Sequence, residues 1–313
     1  MVLGSQADFL HRVFYRSAIG HHLANAGEQG EQGEAHFKAW PHPTAAELAW
    51  GQAWKHAKPL PGRMLLVVVE SWGVPHQPQE LALQMAPLLK APGLELLAQG
   101  QVAFQGGTIA GELREVCSLA SSRIDFKKVT PPPGHACWPQ RLREQGYATA
   151  SINGGSALMY NASQWHASAG FERSYFMQTF PGQARRCHSF PSLCDVDLAP
   201  FVADTLAASD QSFVYWLSMN SHLPYDARDL RGKVSADCQA LGWAADSASC
   251  LHHSLIQEFF SALVEAISRP ELAGAEVVLV GDHMPPFFQA EDRARFVAGV
   301  VPYAHLRVRA ALP

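Results

Sequence analysis

Four short apolar runs alternate with helix-like stretches along this chain, which predicts an α/β layered fold with a largely parallel central sheet. The runs are MLLVVVE (64–70), ATASING (148–154), FVYWLSMN (213–220) and EVVLVGD (276–282). The last three follow the amphipathic stretches WPQRLREQGY, LAPFVADTLAAS and LIQEFFSALVEAI, which supply the crossover helices. Near-continuous apolar character, rather than alternation, marks strands buried on both faces. RFVAGVVPY (295–303) reads as a further strand.

Ahead of the first run, residues 1–60 form a peripheral helical segment, with 61–313 as the main domain. Phe9, Leu10, Val13 and Phe14 recur near helical spacing, and Ala45 to Lys58 is a second helix candidate. GEQGEQGEAH links the two. Of 313 residues, 48% are hydrophobic and 17% charged, enough to bury a core and too apolar for a disordered chain. The net charge of -4, with no block of Lys or Arg, excludes an ordinary nucleic-acid partner.

Six cysteines fall in neighbouring pairs: Cys117 with Cys137, Cys187 with Cys194, Cys238 with Cys250. None has C-x-x-C spacing. They read as up to three local disulfides and hence an oxidising compartment; the other reading is six reduced thiols in the cytosol. The longest apolar run, Met64 to Val69, is too short to cross a bilayer, and the N-terminus lacks a basic region followed by an apolar stretch. An exported chain is therefore expected to carry a signal or membrane-spanning portion outside these residues.

The polar residues that stop the strands carry the functional signal. In parallel α/β sheets, ligands sit beyond the carboxyl ends of the strands. Those ends read Glu70-Ser71, Asn153-Gly154, Asn220-Ser221-His222 and Asp282-His283. Each alone is an ordinary cap or turn residue; together they predict one site. Carboxylate and imidazole at Asp282-His283, with Glu70 nearby, suit a divalent zinc- or manganese-like ion. Thr108 follows Gly106-Gly107 at the entrance to a helix, which places a hydroxyl near free backbone amides. Alone, Thr108 reads as a helix N-cap, although Gly111 stands where a capping box would put Glu or Gln.

The segments VVVESW, GGTIAGELREVC, FVYWLSMNSHLPY and VVLVGDHMPPF, in this order, resemble the alkaline phosphatase/sulfatase superfamily. The nearest branch is the membrane-anchored phosphoglycerol and phosphoethanolamine transferases, which include lipoteichoic acid synthases and lipid A modifying enzymes. The resemblance runs from about residue 64 to 303. It implies an alkaline phosphatase-like α/β/α sandwich with one divalent metal, zinc or manganese, held by Glu70, Thr108, Asp282 and His283. It further implies that Thr108 is loaded covalently from a phospholipid donor and discharged to a cell-envelope glycan or lipid. His222, in Asn220-Ser-His-Leu-Pro224, matches the family histidine that touches substrate phosphate. The implied place is the periplasmic face of a bacterial inner membrane.

Two departures leave the head group open between phosphoethanolamine and phosphoglycerol. Lipoteichoic acid synthases have His-Gly where this chain has Asn153-Gly154, whereas the phosphoethanolamine branch has Asn there; Asn153 is thus a candidate for the donor pocket. TIAGELREVC instead resembles the phosphoglycerol transferases of periplasmic glucans. A phosphodiesterase or sulfatase-type hydrolase on the same scaffold is the alternative. Cys137-Trp-Pro-Gln-Arg141 matches C-x-P-x-R, whose cysteine becomes formylglycine in sulfatases. It precedes a helix-then-strand unit where the family places no nucleophile, so a disulfide to Cys117 is the preferred role. His305 and His188 are minor candidates for the site, and His252-His253 read as surface residues.

Overall fold

The structure, a computed structural model, describes residues 37–121, 129, 131, 132 and 134–310. The helix expected around Phe9 to Phe14, and the Gly-rich link after it, lie outside those residues. Nine strands are present among the described residues: β1 (Phe37–Ala39), β2 (Arg63–Val69), β3 (Leu94–Ala103), β4 (Leu119–Ser121), β5 (Ala148–Asn153), β6 (Arg173–Tyr175), β7 (Ser212–Leu217), β8 (Glu276–Gly281) and β9 (Val300–Val308). The helices that frame them are α1 (Gln52–Lys55), α2 (Pro78–Gln84), α3 (Ala86–Leu89), α4 (Thr108–Cys117), α5 (Trp138–Arg143), α6 (Ala162–Ala169), α7 (Asp195–Ala207), α8 (Asp237–Ala240), α9 (Ala248–Ile267) and α10 (Ala290–Arg293).

Seven strands form the main sheet in the order β3-β9-β8-β2-β7-β5-β6, while β1 pairs with β4 in a small separate sheet. Strands β8, β2, β7, β5 and β6 are mutually parallel. Only β9 runs against its neighbours β8 and β3. The α/β fold with a largely parallel sheet is thus the one expected.

Strand β9 begins five residues later than the apolar run suggests and is antiparallel. Its connection from β8 carries only the short helix α10, not a face-covering crossover, and a direct return of this kind pairs antiparallel. Strand β3 gives little sequence signal: LELLAQGQVA is broken by Glu95, Gln99 and Gln101, and its burial alternates irregularly, as suits an edge strand.

Side-chain alternation sorts the core. Leu65, Val67 and Val69 of β2, with Val214, Trp216, Val277 and Leu279, meet Leu198, Val202 and Leu206 of α7 and Ile256, Phe260 and Leu263 of α9. The opposite face receives α4, α5 and the helical segment before β2. There Trp50, 1% exposed, packs edge-on against Trp138 and Phe213, and its indole N–H donates to Glu276 Oε2 at 3.1 Å. Thr44 and Glu47 cap that segment reciprocally: Glu47 N donates to Thr44 Oγ1 at 3.1 Å, and Thr44 N donates to Glu47 Oε2 at 3.2 Å.

All six cysteines are paired, as Cys117–Cys137, Cys187–Cys194 and Cys238–Cys250. Among the described residues, no helix is long and apolar enough to cross a membrane.

Trp50 couples packing to a buried hydrogen bond, so Trp50→Ala is expected to cost about 3–5 kcal/mol in urea unfolding. Trp50→Phe, which keeps most of the ring volume, is expected to cost about 0.5–1.5 kcal/mol through the lost hydrogen bond, since His305 Nε2 still meets Glu276 Oε2 at 2.8 Å. Equal losses for the two variants would show that packing plays no part.

Candidate metal and nucleophile site

The parallel ladder places the carboxyl ends of β2, β7 and β8 side by side. Asp282 N extends the β8–β2 ladder by donating to Val69 O at 3.2 Å, which brings the residues after both strands together. Glu70, Asp282 and His283 each present a metal-capable atom there, and these atoms all lie within 4.8 Å of one another. His283 Nε2 is 3.5 Å from Glu70 Oε1 and 3.3 Å from Asp282 Oδ2.

Thr108 enters from α4. Gly107 is the N-cap and Thr108 the first helical residue, so the capping role open to an isolated threonine is not the one observed. Its hydroxyl instead donates to Glu70 Oε2 at 3.0 Å and lies 3.4 Å from His283 Nε2. Gly106 takes φ +82°, a left-handed turn that glycine adopts without strain, and delivers the chain to the helix start. Gly111, one turn on, lies against Asp282: a Cβ there would sit 2.8 Å from Asp282 Cβ and 2.9 Å from its Cα. The structure therefore brings Glu70, Thr108, Asp282 and His283 into one cluster.

The cluster suits a divalent cation. His283 Nδ1 is 2.8 Å from the Met284 carbonyl, which fixes the proton on that nitrogen and turns the Nε2 lone pair toward the two carboxylates. Asp282 Oδ2 is buried and has no hydrogen-bond partner. Three electron-rich side chains thus converge on one point. Tetrahedral zinc with bonds near 2.0–2.1 Å would set its ligand atoms about 3.3 Å apart, close to the spacings seen here. Burial, followed by the neighbouring charge of Glu70, pushes the Asp282 carboxyl up from its usual range. Burial opposes protonation of His283, but Asp282 and Glu70 outweigh it and raise its pKa.

Ser71 holds the geometry from below. It adopts a left-handed backbone at φ 55°, a costly conformation for a non-glycine residue. In return, its N–H donates to Asp282 Oδ1 at 2.7 Å, its hydroxyl donates to Glu70 Oε1 at 2.7 Å, and its carbonyl meets His252 Nε2 at 2.9 Å. His252 and His253 are buried at 1% and 0% exposure, contrary to the surface position expected for them. His252 reaches in from α9 through an aromatic setting of Tyr225, Phe287 and Phe296.

His222 lies in the loop after β7, and Ser221 Oγ donates to the Glu70 carbonyl at 2.5 Å. His222 Nδ1 is 2.5 Å from the Leu223 carbonyl, and the ring packs on Phe190 with centroids 4.5 Å apart. Burial lowers its pKa to about 4, with the His283 charge acting in the same direction. The loop is braced by Asp195, whose Oδ2 accepts from Met219 N and Asn220 N at 2.8 Å each.

Asn153 closes β5 level with Leu217 and is 2% exposed. Its Oδ1 accepts from Gly155 N at 2.7 Å, shaping the next turn. No hydrogen bond joins it to the four clustered residues among those described. That turn leads to Tyr160, left-handed at φ 53°, whose phenol is pushed up by burial and then by the charges of Glu70, Glu112 and Asp282. Tyr160 and the roles of Ser71 and Gly111 went unnoticed in the sequence because nothing about a lone Tyr, Ser or Gly declares a strained or close-packed position.

His305 does not join the site. It bonds Glu276 Oε2 at 2.8 Å near the start of β8, some six residues, or about 20 Å of strand, from Asp282. His188 is exposed, and its backbone N–H donates to Asp229 Oδ1 at 2.7 Å. Cys137 is 1% exposed and disulfide-bonded to Cys117, so the C-x-P-x-R segment has no free thiol.

A family model described as Sulfatase matches residues 63–301. Among solved structures, an alkaline phosphatase superfamily protein from Vibrio parahaemolyticus superposes with a TM-score of 0.59 at 17% identity, covering 81% of this chain and 61% of that one. The lipoteichoic acid synthase LtaP from Listeria monocytogenes gives 0.58 at 15% identity, covering 80% and 66%. The Streptococcus pyogenes phosphoglycerol transferase GacH, solved with sn-glycerol-1-phosphate, gives 0.58 at 12% identity, covering 87% and 77%. The chain thus spans less than two thirds of the first two. No curated protein matches it. At these identities the superpositions establish the fold.

The buried acid pair generates a prediction. Between pH about 4 and about 7 the folded, metal-free protein keeps a proton on Asp282 that the unfolded chain has lost, so this group lowers stability as pH rises through that window. Asp282→Asn is expected to raise the melting temperature of the metal-free protein more at about pH 8 than at about pH 5. The same variant is expected to weaken zinc binding in a chelator competition. Undiminished zinc affinity would remove Asp282 from the ligand set.

Proposed function

The chain belongs to the sulfatase family, and from that premise we propose that it is a metal-dependent transferase for substituted phosphate groups. It moves phosphoethanolamine or phosphoglycerol from a phospholipid donor, through a covalent intermediate on Thr108, to a cell-envelope glycan or lipid acceptor. The observation that carries this reading is the Thr108 hydroxyl at a helix N-terminus, 3.0 Å from Glu70 Oε2 and 3.4 Å from His283 Nε2.

The family is one of metal-dependent enzymes. Glu70, Thr108, Asp282 and His283 would hold a zinc or manganese ion, whose positive charge would lower the pKa of the Thr108 hydroxyl. Thr108 Oγ1 attacks the donor phosphorus while its proton moves toward Glu70 Oε2. The bond from phosphorus to the diacylglycerol oxygen breaks, and that oxygen leaves with the proton Glu70 received. An acceptor hydroxyl or amine then attacks the same phosphorus, the bond to Thr108 Oγ1 breaks, and the acceptor's proton passes to the threonine oxygen. The first amides of α4, which have no intrahelical acceptor, favour the anionic phosphoryl oxygens.

His222 would meet the phosphate or take the acceptor's proton through Nε2, since its Nδ1 is engaged with the Leu223 carbonyl. Asn153 would shape the donor pocket through the turn that leads to Tyr160. Three disulfides support an oxidising setting such as the periplasmic face of a bacterial inner membrane.

Incubating the zinc- or manganese-loaded protein with phosphatidylethanolamine or phosphatidylglycerol is expected to add the corresponding head-group phosphate to the Thr108 peptide, read by mass spectrometry. Thr108→Ala is expected to abolish both the adduct and turnover while leaving the fold intact. Full turnover by Thr108→Ala would overturn the mechanism.

A further inference from the structure

Helix α4 carries a charged pair that the proposed chemistry does not use. Arg114 is 1% exposed and Glu115 is fully buried. Burying a guanidinium is costly unless its donors are met, and here they are. Arg114 Nε donates to Glu115 Oε1 at 2.7 Å, Nη2 to the Gly281 carbonyl at 2.7 Å and Nη1 to the Asp282 carbonyl at 3.2 Å.

Those two carbonyls lie past the last β8 residue that β9 covers. Strand β9 pairs with β8 only as far as Val280, opposite Tyr303. The guanidinium therefore bonds the carbonyls just beyond the point where β9 stops pairing with β8, and its planar fork spans two successive oxygens as a single ammonium cannot. Thr108, Gly111 and Arg114 recur every three residues and share one side of the helix. The first offers the hydroxyl, the second lets the helix backbone touch Asp282, and the third grips the carbonyls of Gly281 and Asp282. Glu115 neutralises the grip and also accepts from Ala46 N at 3.3 Å, tying it to the segment before β2.

We propose that Arg114 is a positioning residue: by locking α4 to the backbone of Gly281 and Asp282, it sets the Thr108 hydroxyl against Glu70 and His283. It touches neither substrate nor metal. The activity arm of this inference rests on the transferase reading; the metal-binding arm does not.

Two full-length variants test it, Arg114→Lys and the double variant Arg114→Met/Glu115→Gln, which removes both charges and leaves neither buried alone. In each, zinc affinity is measured by chelator competition on the folded protein, with thermal unfolding of the metal-free form in parallel. Zinc affinity is expected to fall about 10–100-fold, the usual effect of removing a group that orients metal ligands. With phospholipid donor, the loss is expected in kcat, with KM little changed. A folded variant of either kind that binds zinc within about twofold of the unaltered protein would overturn the proposal, whatever its stability. If the unaltered protein binds zinc yet modifies no donor, the transferase reading fails, and the zinc measurement still decides the role of Arg114.

Discussion

Two buried carboxylates and an imidazole held within 4.8 Å of one another are an unfavourable arrangement, and much of the domain serves to impose it. In an apolar interior such groups would separate or take up protons. Here the backbone forbids separation. Glu70 and Asp282 end adjacent parallel strands whose ladder continues one step past the regular pairing, and His283 is tied by its other nitrogen to a carbonyl. A divalent cation would turn this repulsion into affinity, because the donors are already gathered to receive it.

Support for the cluster comes from elements distant in sequence. Ser71, in a backbone conformation unfavourable for serine, addresses Asp282, Glu70 and His252 through three separate groups. Ser221 fixes the Glu70 carbonyl, and Asp195 fixes the loop that carries His222. Gly111 allows α4 to approach Asp282 closely. Each contact is ordinary alone, but together they leave the Thr108 hydroxyl little choice of neighbour.

Much of this was legible in the sequence, for definite reasons. Strands buried on both faces must be almost wholly apolar, so the polar residue that ends each run stands out; Glu70, Asn153 and Asp282 were found in this way. Strand β3 escaped because an edge strand tolerates Glu95, Gln99 and Gln101 and shows no clean period. The orientation of β9 could not be read from composition, since it depends on what fills the connection. Thr108 was ambiguous because a cap and a nucleophile occupy the same place at a helix start, and only the third dimension brings Glu70 to it. His252 and His253 looked superficial because histidine carries little hydrophobic signal; their burial follows from the face of α9 on which they fall.

The strand order has a consequence for how the chain is made. Strand β2 is the first long strand among the described residues, yet it ends in the middle of the sheet, between β7 and β8. Its partners appear only after residue 212 and residue 276 have been added. At roughly 5–20 residues per second, the run from Met64 to Val69 waits on the order of ten seconds or more with no neighbour on either edge. Glu70 likewise waits for the aspartate that completes its pair. The newborn chain therefore depends on whatever shields an apolar strand in the interval, and its late-made segments are the ones that end the exposure.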